Sequence, residues 1–290
     1  MSITKINVPE LFDLSTETGA IQLPVGTTLE RPAAPSTGEW RFNDDTDKVE
    51  YWDGNNWVTI EYESIPTTST CNYPTTATAL YQFEDNINDT CGSHNLSTFN
   101  NSAYGTGKFG RAADFNGTNA SIFSSAGSPE VFTNASGGTL SFWFNPDNVS
   151  GNKDMWSAHN GSWTGNYGWI IRTDGNLIWA LMYNSSGTNC LNTYPWKSTS
   201  TVSAGVWSHV AIVTEGKTTG DTIKMYINGS LDANGTATFT NNFNVNSSQV
   251  QQIGDSSNSY WYEGLIDQAR IFPSALSASE ITDLFNETGP

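Results

Sequence analysis

Short apolar runs broken by Gly, Asn, Asp, Ser and Thr recur along most of the chain, and their period is that of strands. In TLSFWFNPD, Leu140, Phe142 and Phe144 fall on one face; in TIKMYINGSLD, Ile223, Met225 and Ile227 do the same before a turn at Asn228–Gly229. GWIIRTDGNLIWALMY reads as a hairpin about Asp174–Gly175. VWSHVAIVTEG is apolar on both faces, as an inner strand should be. Helical spacing appears near the end, in SALSASEITDLFN. There Ser277 and Glu280 form a capping box, and Ile281, Leu284 and Phe285 share one stripe.

The first part of the chain has a different pattern. VPELFDL can add a short strand or arm, and LPVGTTLERPAAPSTGE favours extended chain. EWRFN, KVEYWD and WVTI then read as a three-stranded meander, with Trp40, Phe42, Tyr51, Trp52 and Trp57 as a miniature core. A unit this small is marginal alone and would gain from packing on neighbouring copies. ESIPTTSTCNYPTTAT, over 61–78, has the composition of a linker. The expected organisation is an N-terminal module over 1–60, a linker over 61–74 and a β-sandwich over 75–290. No repeat of 20–50 residues is visible.

Composition supports an all-β reading. Leucine is sparse, while eleven Trp, eleven Tyr and fourteen Phe supply burial that a disordered chain lacks. The net charge of −17 with twelve basic residues argues against a polyanionic partner, so no nucleic acid is expected. Free carboxylates could meet a cation such as calcium, although a solvated acidic surface accounts for most of them. No run of about 18 apolar residues occurs, so no membrane insertion is expected. MSITKINVPELFDLSTETGA has no apolar core of signal-peptide length, and the expectation is assembly in a cytoplasm. Asn116-Gly117-Thr118 and Asn228-Gly229-Ser230 then read as turn chemistry. Cys71, Cys91 and Cys190 are no disulfide framework; Cys71 and Cys91 could pair, and free thiols are the default.

Candidate chemistry is thin. GTGKFG formally matches a dinucleotide-binding pattern, but RAADFNG after it reads as strand and turn rather than helix. His94, His159 and His209 are isolated, with His209 read as a packed strand residue, and no Gly-x-Ser-x-Gly elbow appears. No catalytic residue is expected. The segment 155–197 holds five Trp and three Tyr, and is the candidate glycan platform. Trp169 and Trp179 lie within strands and read as core. Trp156, Trp163, Tyr167, Tyr194 and Trp196 lie beside turn residues and are the glycan-binding candidates, with packing in the sandwich as the competing reading.

The segments LYQFEDNINDTCGSHN, GKFGRAADFNGTNASI, TLSFWFNPD, WSHVAIVTEGKTTGDTIKMYINGSLD and EGLIDQARIFPSALSASEI together resemble the laminin-G-like branch of the concanavalin A-like lectin/glucanase superfamily. The resemblance implies a jelly-roll sandwich that binds carbohydrate or protein, often with one calcium ion. It points to Glu84, Asp85, Asp89 and Asp267 as metal ligands. Asp267 stands in a largely apolar strand, where an unpaired carboxylate is costly; it could equally cap a turn or meet Arg270. The close carboxylates of some glucanases, Glu-x-Asp-x-x-Glu, have no match here, which disfavours a polysaccharide-degrading enzyme. The stretch LPVGTTLERPAAPSTGEWRFNDDTDKVEYWDGNNWVTI resembles a short module found near the start of phage tail-fibre and virion proteins. That resemblance implies a virion appendage, homotrimeric, attached to other virion proteins through the module and displaying the sandwich toward a host cell-surface glycan. A capsid-decorating or adaptor protein without receptor activity is the alternative.

Overall fold

The computed structural model describes residues 23–59, 70–125, 132, 137–159, 168–243, 250–255 and 260–289, and the chain divides between Pro66 and Thr67 into two compact units. In the first unit, β1 (Val25–Gly26) lies parallel to β2 (Trp40–Asn43). β3 (Lys48–Trp52) and β4 (Trp57–Thr59) complete the expected antiparallel meander. The arm expected at VPELFDL lies outside the described residues.

The module's interior differs from the aromatic core expected. Arg41, Asn43 and Glu50 are the buried side chains of β2–β4, while Trp40 is 48% exposed. The Glu50 carboxylate accepts from Arg31 Nε at 3.0 Å, Arg41 Nη1 at 3.0 Å and Asn43 Nδ2 at 3.1 Å. The Arg31 hydrogen bond holds its pKa below the usual carboxylate range, against the opposing effect of burial. A sheet too small to bury two faces thus closes one of them over a satisfied ion cluster. The aromatics pair across strands instead, Trp40 on Tyr51 at 5.7 Å and Trp52 on Trp57 at 5.8 Å.

The second unit is a two-sheet sandwich. One sheet runs in the order β17 (Ser230–Thr238), β16 (Thr222–Ile227), β15 (Ser208–Thr214), β10 (Gly138–Pro146), β19 (Glu263–Phe272), β8 (Arg111–Asn116), β7 (Ala103–Thr106), with β5 (Ala79–Tyr81) also paired to β19. The other runs β14 (Trp196–Thr201), β13 (Leu177–Tyr183), β12 (Gly168–Asp174), β11 (Asn152–His159), β18 (Gln251–Ile253), β9 (Ser121–Ser124), β6 (Leu96–Asn100). The pairings among the strands of these two sheets are antiparallel.

Alternation decides what each strand buries. Leu140, Phe142 and Phe144 join Ile223, Met225 and Ile227 in the core between the sheets. Both turns sit where the sequence places them: Gly175 has φ 61°, and Asn228 and Gly229 have φ 49° and 77°, the left-handed values a tight hairpin turn needs. On β15, Val210 and Ile212 face this core, while Ala211 and Val213 face the other way. There α1 (Ala278–Phe285) covers them with Ile281 and Leu284. Its capping box forms as read, with the Ser277 side chain accepting from the Glu280 N–H and Glu280 accepting from the Ser277 N–H at 2.7 Å.

The expected linker is cut short at its far end. Thr70–Asn72 form a 3-10 turn, and Cys71 is bonded to Cys91 with Cα atoms 5.1 Å apart. The Tyr73 hydroxyl donates to the Asp283 carbonyl at 2.9 Å, so residues 71–74 belong to the sandwich. Cys190 is the free, buried cysteine.

Candidate functional site

α1 packs on the eight-stranded sheet, and the outer face of the seven-stranded sheet carries an ordered row of side chains. On β12, Trp169 and Ile171 point into the core, which turns Arg172 outward. On β13, Ile178, Ala180 and Met182 point inward, which turns Trp179 and Tyr183 outward. Strand pairing then sets Asp154 beside Arg172, Arg172 beside Trp179, and Trp179 beside Lys197. The row alternates acid, cation, indole and cation across β11, β12, β13 and β14.

Its members hold one another. Arg172 Nε lies 2.6 Å from Asp154 Oδ1, both side chains being almost fully buried. The Trp179 ring has the Arg172 guanidinium at 5.4 Å and the Lys197 ammonium at 4.9 Å, within cation–π range of each. Lys197 also pairs with Asp174. A second ring, Tyr260, lies 4.9 Å from the Arg172 guanidinium. Tyr194 is 58% exposed, meets the Trp179 ring edge-on at 5.9 Å, and accepts the Tyr183 hydroxyl at 3.4 Å. The Tyr183 phenol titrates well above its usual range, because burial and this hydrogen bond both favour the neutral form. The result is a half-buried indole amid fixed charges and three phenols, an arrangement suited to a sugar ring with polar edges.

This site differs from the candidates read from sequence. Trp156 and Trp196 are core residues, 0% and 1% exposed, and offer no ring face to a ligand. A bulge between Asp154 and Trp156 sends both the acid outward and the indole inward. Trp196 points inward on β14 and donates to the Asn234 carbonyl at 2.9 Å. Trp163 and Tyr167 lie outside the described residues. Tyr194 is the candidate that stands in the row's neighbourhood. Trp169 is core as expected, but Trp179 is not: its neighbours in sequence alternate inward, and that parity was the available signal.

The metal candidates separate into groups. Asp89 accepts the N–H of Leu80, Cys91 and His94 at 2.9–3.1 Å and organises its own loop. Asp85 is exposed and pairs with Arg111 Nε at 3.1 Å. Glu84 and Asp267 instead converge on the turn 107–111. Asp267 accepts the Phe109 N–H at 3.0 Å, and Glu84 accepts the Arg111 N–H at 3.1 Å. Asp267 sits where β19 changes partner from β8 to β5, beside Gln268 at φ 48°. Burial pushes its carboxyl up to about 7 with help from Glu84, against the pull of the Phe109 and Gln268 N–H groups. Arg270, its alternative partner, is bonded to Glu287 at 2.8 and 2.7 Å. Among the described residues no three His, Cys, Asp or Glu side chains gather as a metal cluster. Two carboxylates without a paired cation fit a hard ion only if backbone carbonyls and water complete its shell. The GTGKFG glycines lie in and before this turn, and a strand rather than a helix follows them.

His209 accompanies Ser141, with Nε2 and Oγ 2.7 Å apart. Burial and the Arg270 charge depress its pKa to about 3. Packed beside Trp143 and Phe285, it is a neutral core histidine sealed from substrate.

The family follows from the sequence of this sandwich. Residues 116–282 match the laminin-G-like model of the concanavalin A-like lectin/glucanases superfamily, and the chain belongs to that superfamily. Domain 4 of AbnA, a GH43 extracellular arabinanase from Geobacillus stearothermophilus solved with arabinotriose, is 22% identical; the match covers 72% of this chain and 98% of that one, with a TM-score of 0.58. The botulinum neurotoxin serotype G binding domain is 16% identical over 72% of this chain and 50% of its own, with a TM-score of 0.56. The binding domain of botulinum neurotoxin DC, solved in complex with SialylT, gives 16%, 72%, 50% and 0.52. The chain thus spans about half the length of the toxin domains it matches. No curated protein matches the chain.

Proposed function

We propose that the protein is a displayed lectin, carried by its N-terminal module in a phage virion, that binds a host-surface glycan on the outer face of the seven-stranded sheet. The observation that carries this reading is the row across β11–β14, with half-buried Trp179 at its centre and exposed Tyr194 beside it. The arabinanase domain of the same fold was solved with arabinotriose, so sugar binding is compatible with such a sandwich. The virion role rests on the resemblance of the module. An adaptor without receptor activity is the second reading, favoured by the partly exposed aromatics of that module, which suit contact with other copies.

A glycan array probed with the full chain tests the proposal. Trp179→Ala should weaken the best-bound glycan by about 2 kcal/mol, roughly thirtyfold, as loss of a central aromatic anchor does. Its melting temperature should stay close to the parent's. Absence of any glycan signal would favour the adaptor reading, and a residue-independent signal would move the site elsewhere.

Glu84 and Asp267 are the residues that would hold a calcium ion. When bound, the ion would supply countercharge to two carboxylates at one turn, a structural service on a different sheet from the glycan row.

A further inference from the structure

Two hydrogen-bond donors at the centre of the row have no partner among the described residues: Arg172 Nη2 and Trp179 Nε1, both buried. Neither can be turned to accept, because guanidinium and indole N–H groups donate only. A buried donor left unmade is costly, and each one calls for an explanation. Arg172 Nε does lie against Asp154, as an ion pair too poorly aligned for a hydrogen bond. That pair neutralises the charge but leaves Nη2 without a hydrogen bond.

We propose that Arg172 and Trp179 recognise the carboxylate of an acidic sugar. The proposal rests on the glycan-binding reading of this face and names the class of glycan. A carboxylate offers two acceptor oxygens, which matches a surplus of two donors, and its charge strengthens each bond it accepts. The location supports it too. In a chain of net charge −17, an anion needs cations close at hand, and the row places Arg172 and Lys197, each paired with one carboxylate, on either side of one indole. The sugar ring would then lie against the Trp179 face with its acid group toward Arg172.

Access runs past Tyr260. Its ring covers the guanidinium at 4.9 Å, yet the residue is 36% exposed. Its main chain is pinned, since the Asp154 N–H donates to the Tyr260 carbonyl at 2.7 Å. Rotation of the side chain moves this ring off the guanidinium and leaves the backbone contact in place.

The test is calorimetric titration of the full chain with oligouronates and sialylated glycans, each beside its carboxyl-reduced counterpart, and with sulfated glycans as a third arm. The wild type should bind an acid form about tenfold or more tightly than the reduced form, as expected for a charge-assisted bond. Trp179→Phe keeps an aromatic face but removes Nε1–H, and should narrow that ratio severalfold. Asp154→Asn combined with Arg172→Gln removes both charges together and should abolish the ratio. Equal binding of acid and reduced forms overturns the inference while leaving a glycan site in place. A preference for sulfated over carboxylated sugars overturns the carboxylate assignment. Binding to no member of any arm removes both the inference and the reading beneath it. Should the double variant fail to fold, the wild-type ratio and Trp179→Phe decide.

Discussion

Trp156→Ala should destabilise the sandwich by about 3–5 kcal/mol, the usual cost of emptying a large aromatic site in a close-packed core. The indole is 0% exposed and meets the rings of Phe142 at 5.7 Å, Trp169 at 6.2 Å and Tyr81 at 6.4 Å. Its Nε1 donates to Gln251 Oε1 at 3.1 Å, a bond the alanine also removes. Because Trp156 joins both sheets, neighbours on either side must move to fill the space. For a domain of this size each kcal/mol shifts the melting temperature by roughly 2–4 °C, so a fall of about 6–20 °C is expected. Tyr194→Ala, at a 58% exposed position, should change stability by about 0.5 kcal/mol or less. Scanning calorimetry of the pair checks this. Equal melting temperatures would return Trp156 to the surface and reopen it as a ligand platform.

The second large effect is expected at Asp267. Its folded pKa is pushed up to about 7 from a reference value of 3.8. The unfolded chain therefore gives up the proton at lower pH than the folded one, and metal-free stability should fall as pH rises from about 4 to 7. At about 1.4 kcal/mol per unit, the difference is on the order of 4 kcal/mol. A calcium ion bound only by the native state would offset most of this, contributing about 2.7 kcal/mol at a hundred times its dissociation constant. Chelation at pH 7 should then lower the melting temperature of the parent. Asp267→Asn keeps an acceptor for the Phe109 N–H and removes the charge. It should be insensitive to chelator and, without metal, more stable at pH 7 than the parent. Identical melts of the parent with and without chelator, at verified metal depletion, would leave Glu84 and Asp267 as holders of the 107–111 turn alone.

Much of the sandwich is legible from one residue type at a time. Leu140, Phe142 and Phe144 announce an inward face, Asn228–Gly229 a tight turn, and Ser277 with Glu280 the start of a helix; each is local chemistry. The candidate site is legible only in part, because it depends on parity and register between strands. Trp156 lies beside polar and turn residues and Trp179 within an apolar run, which suggests the reverse of where the two end. A bulge after Asp154 sends one into the core, and the pairing of β12 with β13 and β14 puts the other between Arg172 and Lys197. Neither event leaves a mark at the residue itself. The interior of the N-terminal module was hidden for a related reason. Glu50 reads as a surface acid until two strands and a turn bring Arg31 and Arg41 onto it. Convergence of Glu84 with Asp267 likewise came from resemblance to a family, since no spacing in the chain reports it.

The central claim is that the glycan lies on Trp179, and the chain's eleven tryptophans allow it to be tested in one spectrum. Each indole N–H gives its own signal in a nitrogen–proton correlation experiment on labelled protein. On addition of the best array glycan, the Trp179 signal should move in proportion to occupancy, while those of buried Trp156, Trp169 and Trp196 stay in place. A titration in which Trp179 is unmoved and another indole shifts would contradict the account.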